Sequence, residues 1–393
     1  MDTPKRFANL PVATWPRLRG LLDAVPPGGE VINMTIGSPQ HAMPDFLPEA
    51  VAKAMAAFRE YPDNNGAPAL LDAISRWLDR RYGVEVGAER IMALNGTREG
   101  LYNVAMALCP ETKGGQRPVI LTPNPFYQVY AVAALSVGAE PVYVNATEAT
   151  GHLPDFAALS PEVLDRTAIA YVCSPANPQG AVADEIYWHR LFELAEKHDF
   201  IVFADECYSE IYRDMPPPGA LEVAAKYDVD PERVVIFHSL SKRSNLAGLR
   251  SGFCAAGPEA MTRIRSLRAY AGAPVPGPVQ AVSARVWDDE AHVDASRDLY
   301  VEKFALADEL LGDLPGYHAP QAGFFLWLPV ADGEAAALKL WRETGVRVLP
   351  GAYLSRDTAQ GNPGAGYIRV ALCGPKNEVE RGLTRLRACL YAS

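Results

Sequence analysis

The chain has 393 residues, and its 37 basic and 47 acidic side chains give a formal net charge of −10. This length corresponds to two domains or to one large domain with a smaller one attached, and 49% hydrophobic with 21% charged residues excludes disordered, collagen-like and coiled-coil chains. The negative charge argues against a nucleic-acid partner, because the phosphate backbone attracts basic surfaces.

The beginning of the chain, MDTPKRFANLPVATW, lacks the apolar segment of a signal peptide. The longest nearly apolar run, Val129 to Ala139, is far shorter than the ~20 residues of a membrane-spanning helix. The six cysteines are scattered without CxxC pairs, as is typical of free thiols in a reducing compartment. These features predict a cytoplasmic protein that acts on small molecules and has no membrane partner.

Five β-rich runs follow one another in the first two thirds of the chain, and each ends in a polar or Gly/Pro-rich turn. The runs are 90–94, 119–122, 168–173, 200–204 and 234–238. They are apolar on both faces, as are strands that helices cover on both sides. Helical patterns separate them at 99–108, 127–137 and 185–197. This alternation predicts an α/β fold with a mostly parallel sheet flanked by helices.

The last hundred residues have a different pattern. A helical stretch at 294–311 leads to apolar strands near 323–329 and 366–372, and then to a helix over 376–391. This order predicts a smaller α+β domain, with which we expect the segment from about residue 7 to residue 40 to pack. We therefore divide the chain into an N-terminal arm that forms part of the small domain (1–45), a large domain (46–287) and a small C-terminal domain (288–393).

Lys242 follows the last strand of the large domain and is surrounded by residues that bind phosphate. Ser239, Ser241 and Arg250 offer two hydroxyls and a guanidinium around one amine. Because ligands of such sheets bind beyond the carboxyl ends of the strands, the five polar strand ends are expected to line one site. An amine beside a phosphate site suggests a phosphorylated aldehyde cofactor that is held as a Schiff base.

Asp205 stands at the end of a very apolar strand, where a carboxylate is costly to bury unless it meets a cation. A protonated pyridine nitrogen would be such a cation. Tyr208, three residues further on, and Asn177, at the end of another strand, could both direct a donor at an oxygen of the same ring. Taken alone, Asp205 is equally a helix cap and Asn177 a turn residue.

Three further features are weaker when taken one at a time. Gly96, Thr97 and Arg98 precede a helix, whose N-terminal amides suit a phosphate. Tyr127 is either a core aromatic or a platform for a planar cofactor. Arg369 is a charge within an apolar strand, so it needs an anion, which is either a structural carboxylate or that of a substrate.

In their order along the chain, these motifs resemble those of the class I/II aminotransferases of fold type I, which use pyridoxal 5′-phosphate. The similarity extends from about residue 33 to residue 390. The ordered set comprises Tyr61-Pro62 with Gly66, Asn95-Gly96-Thr97-Arg98, Pro125-Phe126-Tyr127, Asn177-Pro178-Gln179-Gly180, Asp205-Glu206-Cys207-Tyr208, Ser239-Leu240-Ser241-Lys242, Gly248-Leu249-Arg250 and Arg369.

The resemblance implies a role for each matched residue. Lys242 would be the Schiff-base lysine and, with Asp205 and Tyr208, would form the catalytic set. The residues implied to bind the cofactor are Gly96, Thr97, Arg98, Ser239, Ser241 and Arg250 at the phosphate, Tyr127 stacked on the ring, Asp205 at the pyridine nitrogen, and Tyr208 and Asn177 at the 3-oxygen.

The resemblance also implies how substrate and a second subunit are bound. Arg369 would bind the α-carboxylate of the substrate, with Asn177 and the backbone of Gly37 beside it. Tyr61 matches a tyrosine that reaches the phosphate in the neighbouring subunit, so we expect a homodimer with shared sites. Arg98, Arg243 and His41 are candidates for a distal anionic group, although each is equally suited to a surface or structural ion pair.

Longer strings around residues 95–99, 123–130, 206–212 and 239–245 are similar to the succinyldiaminopimelate transaminases. This resemblance implies transfer of an amino group between an N-succinyl-diaminopimelate-type substrate and the glutamate/2-oxoglutarate pair, in lysine and diaminopimelate biosynthesis. The alternatives are a class I aminotransferase for aspartate, alanine or LL-diaminopimelate, a C–S lyase on the same fold, and a non-catalytic regulator that senses pyridoxal phosphate. The regulator would need a DNA-binding module, for which the sequence offers no basic extension.

Overall fold

The structure, a computed structural model, describes residues 4–8 and 10–391, so both outer ends of the predicted domain division lie outside the described residues. The α-helices are α1 (Thr14–Leu22), α2 (Leu47–Ala54), α3 (Pro68–Tyr82), α4 (Thr97–Leu108), α5 (Gln128–Ser136), α6 (Pro161–Arg166), α7 (Glu185–His198), α8 (Ala220–Lys226), α9 (Leu240–Arg243), α10 (Pro258–Arg268), α11 (Gly277–Trp287), α12 (Ala291–Leu311), α13 (Gly333–Thr344) and α14 (Lys376–Leu390). The strands are β1 (Ile32–Asn33), β2 (Ile91–Leu94), β3 (Val119–Asn124), β4 (Glu140–Asn145), β5 (Thr167–Cys173), β6 (Ile201–Asp205), β7 (Val234–Ser239), β8 (Gly252–Ala255), β9 (Phe325–Pro329), β10 (Val346–Arg347), β11 (Leu349–Pro350) and β12 (Tyr367–Ala371).

A seven-stranded sheet forms the centre of the molecule, with the strand order β2-β8-β7-β6-β5-β3-β4. Strand β8 runs antiparallel to both of its neighbours, and the other six strands are parallel to one another. Separate hydrophobic cores cover the two faces of the sheet, which explains why β5 and β7 are buried along their whole length. The predicted α/β fold with a mainly parallel, helix-flanked sheet is therefore confirmed.

All five predicted strands of the large sheet are present, and their carboxyl ends lie at one edge because the five are mutually parallel. Two strands were missed. Strand β4 is a half-buried edge strand that begins with Glu140 and Pro141, so its apolar signal is weak. Strand β8 has only four residues and begins with a glycine, which is uncommon in a central strand.

The C-terminal part of the chain contains a three-stranded antiparallel sheet in the order β11-β12-β9. The short strand β1 pairs in parallel with β10, so the N-terminal segment joins this part of the molecule. Ile32 and Met34 enter the same hydrophobic core as α12 and α14. The exact division of the chain at residues 45 and 287 stays a prediction. No helix among the described residues combines the length and the apolar character needed to cross a membrane.

Helix α7 shows how burial on the sheet stabilises the fold. Phe192 is completely buried against the sheet, whereas Ile186 on the same helix is 58% exposed. We expect Phe192→Ala to lower the free energy of unfolding by about 3–5 kcal/mol, because the substitution loses buried area and leaves a cavity. The measurement is urea unfolding of the cofactor-free protein. Ile186→Ala is the matched control and should change that free energy by less than about 0.5 kcal/mol; equal losses in both variants would contradict this account of the core.

Candidate active site

Lys242 lies in the single-turn helix α9, directly after β7. The side chain of Ser239 accepts a hydrogen bond from the Ser241 amide and so caps this turn, which directs Lys242 toward the edge of the sheet. The Nζ atom donates to the Gly37 carbonyl and lies 5.2 Å from the centroid of the Phe324 ring. Burial lowers the pKa of Lys242, and this increases the fraction of neutral, nucleophilic amine.

Asp205 ends β6 and is buried beside the same site. Its Oδ2 accepts a hydrogen bond of 2.7 Å from the hydroxyl of Tyr130, while its Oδ1 has no hydrogen-bond partner among the described residues. Burial raises the pKa of this carboxyl. A buried carboxylate oxygen without a partner is costly, so the geometry fits a cationic N–H donor such as a pyridinium nitrogen.

A cradle of hydroxyls and amides lies between β7 and the beginning of α4. Ser239 donates to Ser241 at 2.9 Å, and the Arg250 guanidinium is 3.4 Å from the Ser241 hydroxyl. Gly96 has a φ of +81°, and a Cβ at this position would collide with the Arg250 guanidinium. Only glycine therefore allows this close approach to the first turn of α4, which begins at Thr97. The cradle has the donors that a phosphate group requires.

A chain of polar contacts joins Asn177, Tyr208 and Arg369. Asn177 donates to the Tyr208 hydroxyl at 3.3 Å and accepts from Arg369 at 3.0 Å. Arg369 also donates to the Thr35 carbonyl at 2.8 Å and lies over the ring of Phe325. These contacts bring the end of β5, the turn after β6 and the middle of β12 together.

The guanidinium of Arg369 is buried without a carboxylate partner in the described part of the chain, and its Nε has no hydrogen-bond partner there. Burial lowers its pKa to about 10. A structural ion pair, which was one of the two interpretations of the sequence, is not what the structure contains. A buried guanidinium with free donors is suited to a carboxylate that comes from outside the chain.

Tyr127 lies at the N-terminal end of α5 and accepts a hydrogen bond of 2.5 Å from Arg98 Nε. Its ring meets that of Tyr130 edge to face at 5.8 Å, which places it next to Asp205. Tyr61, in contrast, is fully exposed and does not join the cluster within one chain. Such exposure is what a contact with a second subunit requires.

The three candidates for a distal anionic group have different environments. Arg243 is buried in an ion pair with Glu290 at 2.7 Å and donates to backbone carbonyls, so its role is structural. His41 lies between Ser296 and Lys303, at 3.0 and 2.7 Å. Arg98 is exposed, and its one described hydrogen bond goes to Tyr127, which leaves it the best placed of the three.

Sequence reasoning missed several residues of the site. Tyr130 was not singled out, although it follows Tyr127 at helical spacing and therefore lies on the same face of α5. Phe324 and Phe325 flank Lys242 and Arg369, and an aromatic pair at the beginning of a strand gives no signal that separates this role from core packing. Thr35 contributes through its backbone carbonyl, which no side-chain pattern reveals.

Comparison with known proteins gives matches over nearly the whole chain. The family model of class I and II aminotransferases matches residues 29–386. The LL-diaminopimelate aminotransferase of Desulforudis audaxviator (strain MP104C) is 34% identical, with 98% of this chain and 97% of that protein covered. An aminotransferase structure from Neisseria meningitidis has a TM-score of 0.94 at 37% identity and covers 98% of this chain and 99% of its own. A probable N-succinyldiaminopimelate aminotransferase structure from Thermus thermophilus has a TM-score of 0.83 at 26% identity, covering 96% of this chain and 100% of its own.

The environment of His41 makes stability depend on pH. Burial first, and the Lys303 ammonium second, lower its pKa to about 4 from 6.5, so between these pH values the unfolded chain binds a proton at this ring that the folded chain does not. Stability is therefore lost as the pH falls from 6.5 toward 4. In urea unfolding of the cofactor-free protein, His41→Gln should reduce the loss between pH 7 and pH 4.5 by about 1–2 kcal/mol, since solvent partly screens the half-buried ring. An unchanged loss in His41→Gln would contradict this account of the ring.

Proposed function

Because this chain belongs to the class I and II aminotransferases, which depend on pyridoxal phosphate, we propose that it transfers the amino group of a diaminopimelate-type amino acid, free or N-succinylated, to 2-oxoglutarate. The observation that carries the proposal is the convergence of two buried ionisable groups, Asp205 and Arg369, and the partly buried Lys242 at the carboxyl edge of the large sheet. Lys242 supplies an amine, Asp205 a carboxylate oxygen without a partner, and Arg369 a guanidinium without an anion.

The residues of the site fit the cofactor group by group. The hydroxyls of Ser239 and Ser241, the Arg250 guanidinium and the amides of Gly96, Thr97 and Arg98 would hold its phosphate. Oδ1 of Asp205 would accept a hydrogen bond from the protonated ring nitrogen, and Tyr127 would stack on the ring. Tyr208 and Asn177, whose side chains already touch, would both hydrogen-bond to the ring oxygen. When bound, pyridoxal phosphate supplies a ring that withdraws electrons from the α-carbon of the amino acid.

Arg369 and Asn177 would bind the α-carboxylate of the amino acid in a bidentate and directional way. The backbone of Gly37 lies beside them, and its carbonyl already accepts a hydrogen bond from Lys242 Nζ. This arrangement would hold the α-carbon within reach of Lys242 Nζ. Because burial lowers the pKa of Lys242, its neutral amine would be able to take the proton from the α-carbon. Lys242 would then move this proton between the α-carbon and the C4′ carbon of the cofactor.

Two observations support a substrate with a second anionic group. Arg98 exposes its guanidinium beside Tyr127, at the entrance to the proposed ring position. Several of the similar proteins are named for the free LL form of diaminopimelate, and the less similar Thermus structure is named for its N-succinyl derivative, whereas a relative from Streptomyces rimosus is named as a transaminase of an anhydrotetracycline. The names thus favour the free amino acid over the succinylated substrate that the sequence strings suggested, and both share the diaminopimelate skeleton.

We also propose a homodimer with shared active sites. Tyr61 is fully exposed, and Met55 and Phe58, just before it in the chain, are also more than half exposed. Exposed apolar side chains so close together are typical of a surface that another subunit covers. In such a dimer, Tyr61 would reach the cofactor phosphate of the partner subunit.

Lys242→Ala tests the role of the amine. We expect turnover to fall by about three orders of magnitude or more, because no other described group near the α-carbon position can move the proton. The cofactor should still bind through Arg250 and the cradle, without the absorption near ~420 nm that its linkage to lysine produces. Steady-state kinetics and absorption spectra measure both. Lys53→Ala, at an exposed lysine, is the control, and unchanged turnover in Lys242→Ala would refute the mechanism.

The amino donor is tested by adding glutamate, LL-diaminopimelate, N-succinyl-LL-diaminopimelate, aspartate and alanine one at a time to the loaded enzyme. We expect the ~420 nm band to convert to a band near ~330 nm with glutamate and with at least one diaminopimelate form, and an equimolar 2-oxo acid to appear.

Conversion by aspartate or alanine alone would retain the aminotransferase chemistry and refute the diaminopimelate substrate. If none of these donors converts the band, and a thioether of cysteine added instead yields pyruvate, ammonia and a thiol, the protein is a lyase.

A further inference from the structure

A fully buried histidine–carboxylate pair lies beneath the site, on the other side of the sheet. His238 Nε2 is 2.8 Å from Glu206 Oε2, and both side chains are buried. Neither atom meets the geometry of a hydrogen bond with any described residue, so this short contact is the only polar interaction described for either of them. The other oxygen of Glu206 accepts a hydrogen bond of 2.6 Å from the Ala220 amide at the beginning of α8. The pair is therefore isolated from water, and each member depends on the other.

The pair is adjacent in sequence to two residues of the proposed cofactor site. Glu206 follows Asp205 at the end of β6, and His238 precedes Ser239 at the end of β7. These two strands are neighbours in the sheet, and the Glu206 amide donates to the Phe237 carbonyl at 3.0 Å. Because side chains alternate along a strand, His238 faces the side of the sheet opposite to Ser239.

The surroundings of His238 leave it no freedom to move. Its ring contacts the rings of Trp77, Tyr82 and Phe253, with centroid distances of 4.9, 5.9 and 5.3 Å. A buried polar ring among aromatic side chains is less stabilising than an apolar side chain of similar size, because the apolar side chain would fill the same space without burying a charge or a dipole. A positioning role gives the pair a physical reason to be there.

We propose that His238 and Glu206 are positioning residues for the cofactor site, which hold Asp205 and Ser239 at a fixed separation from the opposite face of the sheet. This inference rests on the proposed roles of Asp205 at the ring nitrogen and Ser239 at the phosphate. If the pair is broken, no other described side-chain contact joins Glu206, after β6, to His238 in β7. The neighbouring residues Asp205 and Ser239 then lose one of the contacts that fix the distance between them.

The test compares Glu206→Gln and His238→Gln with a matched control. Glu206→Gln keeps the shape of the side chain and an acceptor for the Ala220 amide, and it removes only the charge. His198→Gln is the control, since His198 forms a similar pair with Asp165 at 2.7 Å near the opposite end of β6. For each variant we measure the dissociation constant of pyridoxal phosphate from the apoprotein, the pH titration of the ~420 nm band of the bound cofactor, and the thermal unfolding of the apoprotein.

We expect both site variants to bind the cofactor about ten-fold more weakly, because a small displacement of positioned groups is expensive. The pH at which the band is half converted should move by about half a unit or more, because a displaced Asp205 carboxylate changes the electrostatic environment of the bound cofactor. His198→Gln should leave both quantities at the wild-type values, even if its apoprotein unfolds at a lower temperature. A purely structural pair would lower the unfolding temperature of the site variants and leave affinity and titration unchanged, and this result would overturn the proposal.

Asp205→Asn separates this inference from the proposed function. If Asp205→Asn alters the pH titration of the ~420 nm band and Glu206→Gln does not, the positioning role is wrong and the proposed function stands. If wild-type protein forms no such band, or if Asp205→Asn leaves it unaltered, the proposed roles themselves are wrong. Should His238→Gln fail to fold, Glu206→Gln decides the question, because it keeps the packing of the aromatic enclosure intact.

Discussion

The central constraint on this molecule is the burial of charged side chains that have no ion-pair partners within the described chain. Lys242 and Asp205 lie at the carboxyl edge of the large sheet, and Arg369 of β12 reaches the same place through its contact with Asn177. Asp205 and Arg369 are buried and Lys242 is partly buried, and none of the three forms a salt bridge with another described residue. Burial shifts all three pKa values toward the neutral form. The charged form of each group is thus unfavourable by itself, and an incoming molecule of complementary charge would stabilise it.

The architecture of the sheet makes this arrangement possible. Parallel strands deliver the ends of β2, β3, β5, β6 and β7 to one edge, so residues far apart in sequence become neighbours. The contacts on each group come from different parts of the fold. Tyr130 from α5 holds Asp205, and the segment after β1 holds Lys242 and Arg369 through the backbone of Gly37 and Thr35. The N-terminal segment is therefore a structural part of the site.

The contribution of the N-terminal segment also connects stability with function. His41 belongs to the same segment and bonds to Ser296 and Lys303 of α12, while Asn245, shortly after Lys242, bonds to Ala42 and Ser296. Buried polar contacts of this kind fix the path of a segment that has little regular structure of its own. We expect a substitution in this network to shift the path of the segment and, with it, the backbone carbonyls that contact the site.

The sequence by itself determined the α/β class, five of the seven strands of the central sheet, and several of the residues that meet at its edge, although not Tyr130, Phe324 or Phe325. These features depend on local patterns, since an apolar run followed by a polar turn marks both a buried strand and its end. The resemblance of the ordered motifs to the aminotransferases also needed no structure. The roles of the individual site residues, including Tyr61 at a partner subunit, stay predictions.

Only the tertiary structure decided which charges are paired. Arg243 and Arg369 are both buried arginines, yet Arg243 has Glu290 as its partner and Arg369 has no carboxylate among the described residues. Strands β4 and β8 were missed because an edge position and a short glycine-led strand weaken the apolar signal. The His238–Glu206 pair was equally invisible, because neither residue shows in its own sequence neighbourhood which partner lies across the strand. Contacts between distant segments depend on how the sheet is assembled, and no local pattern encodes them.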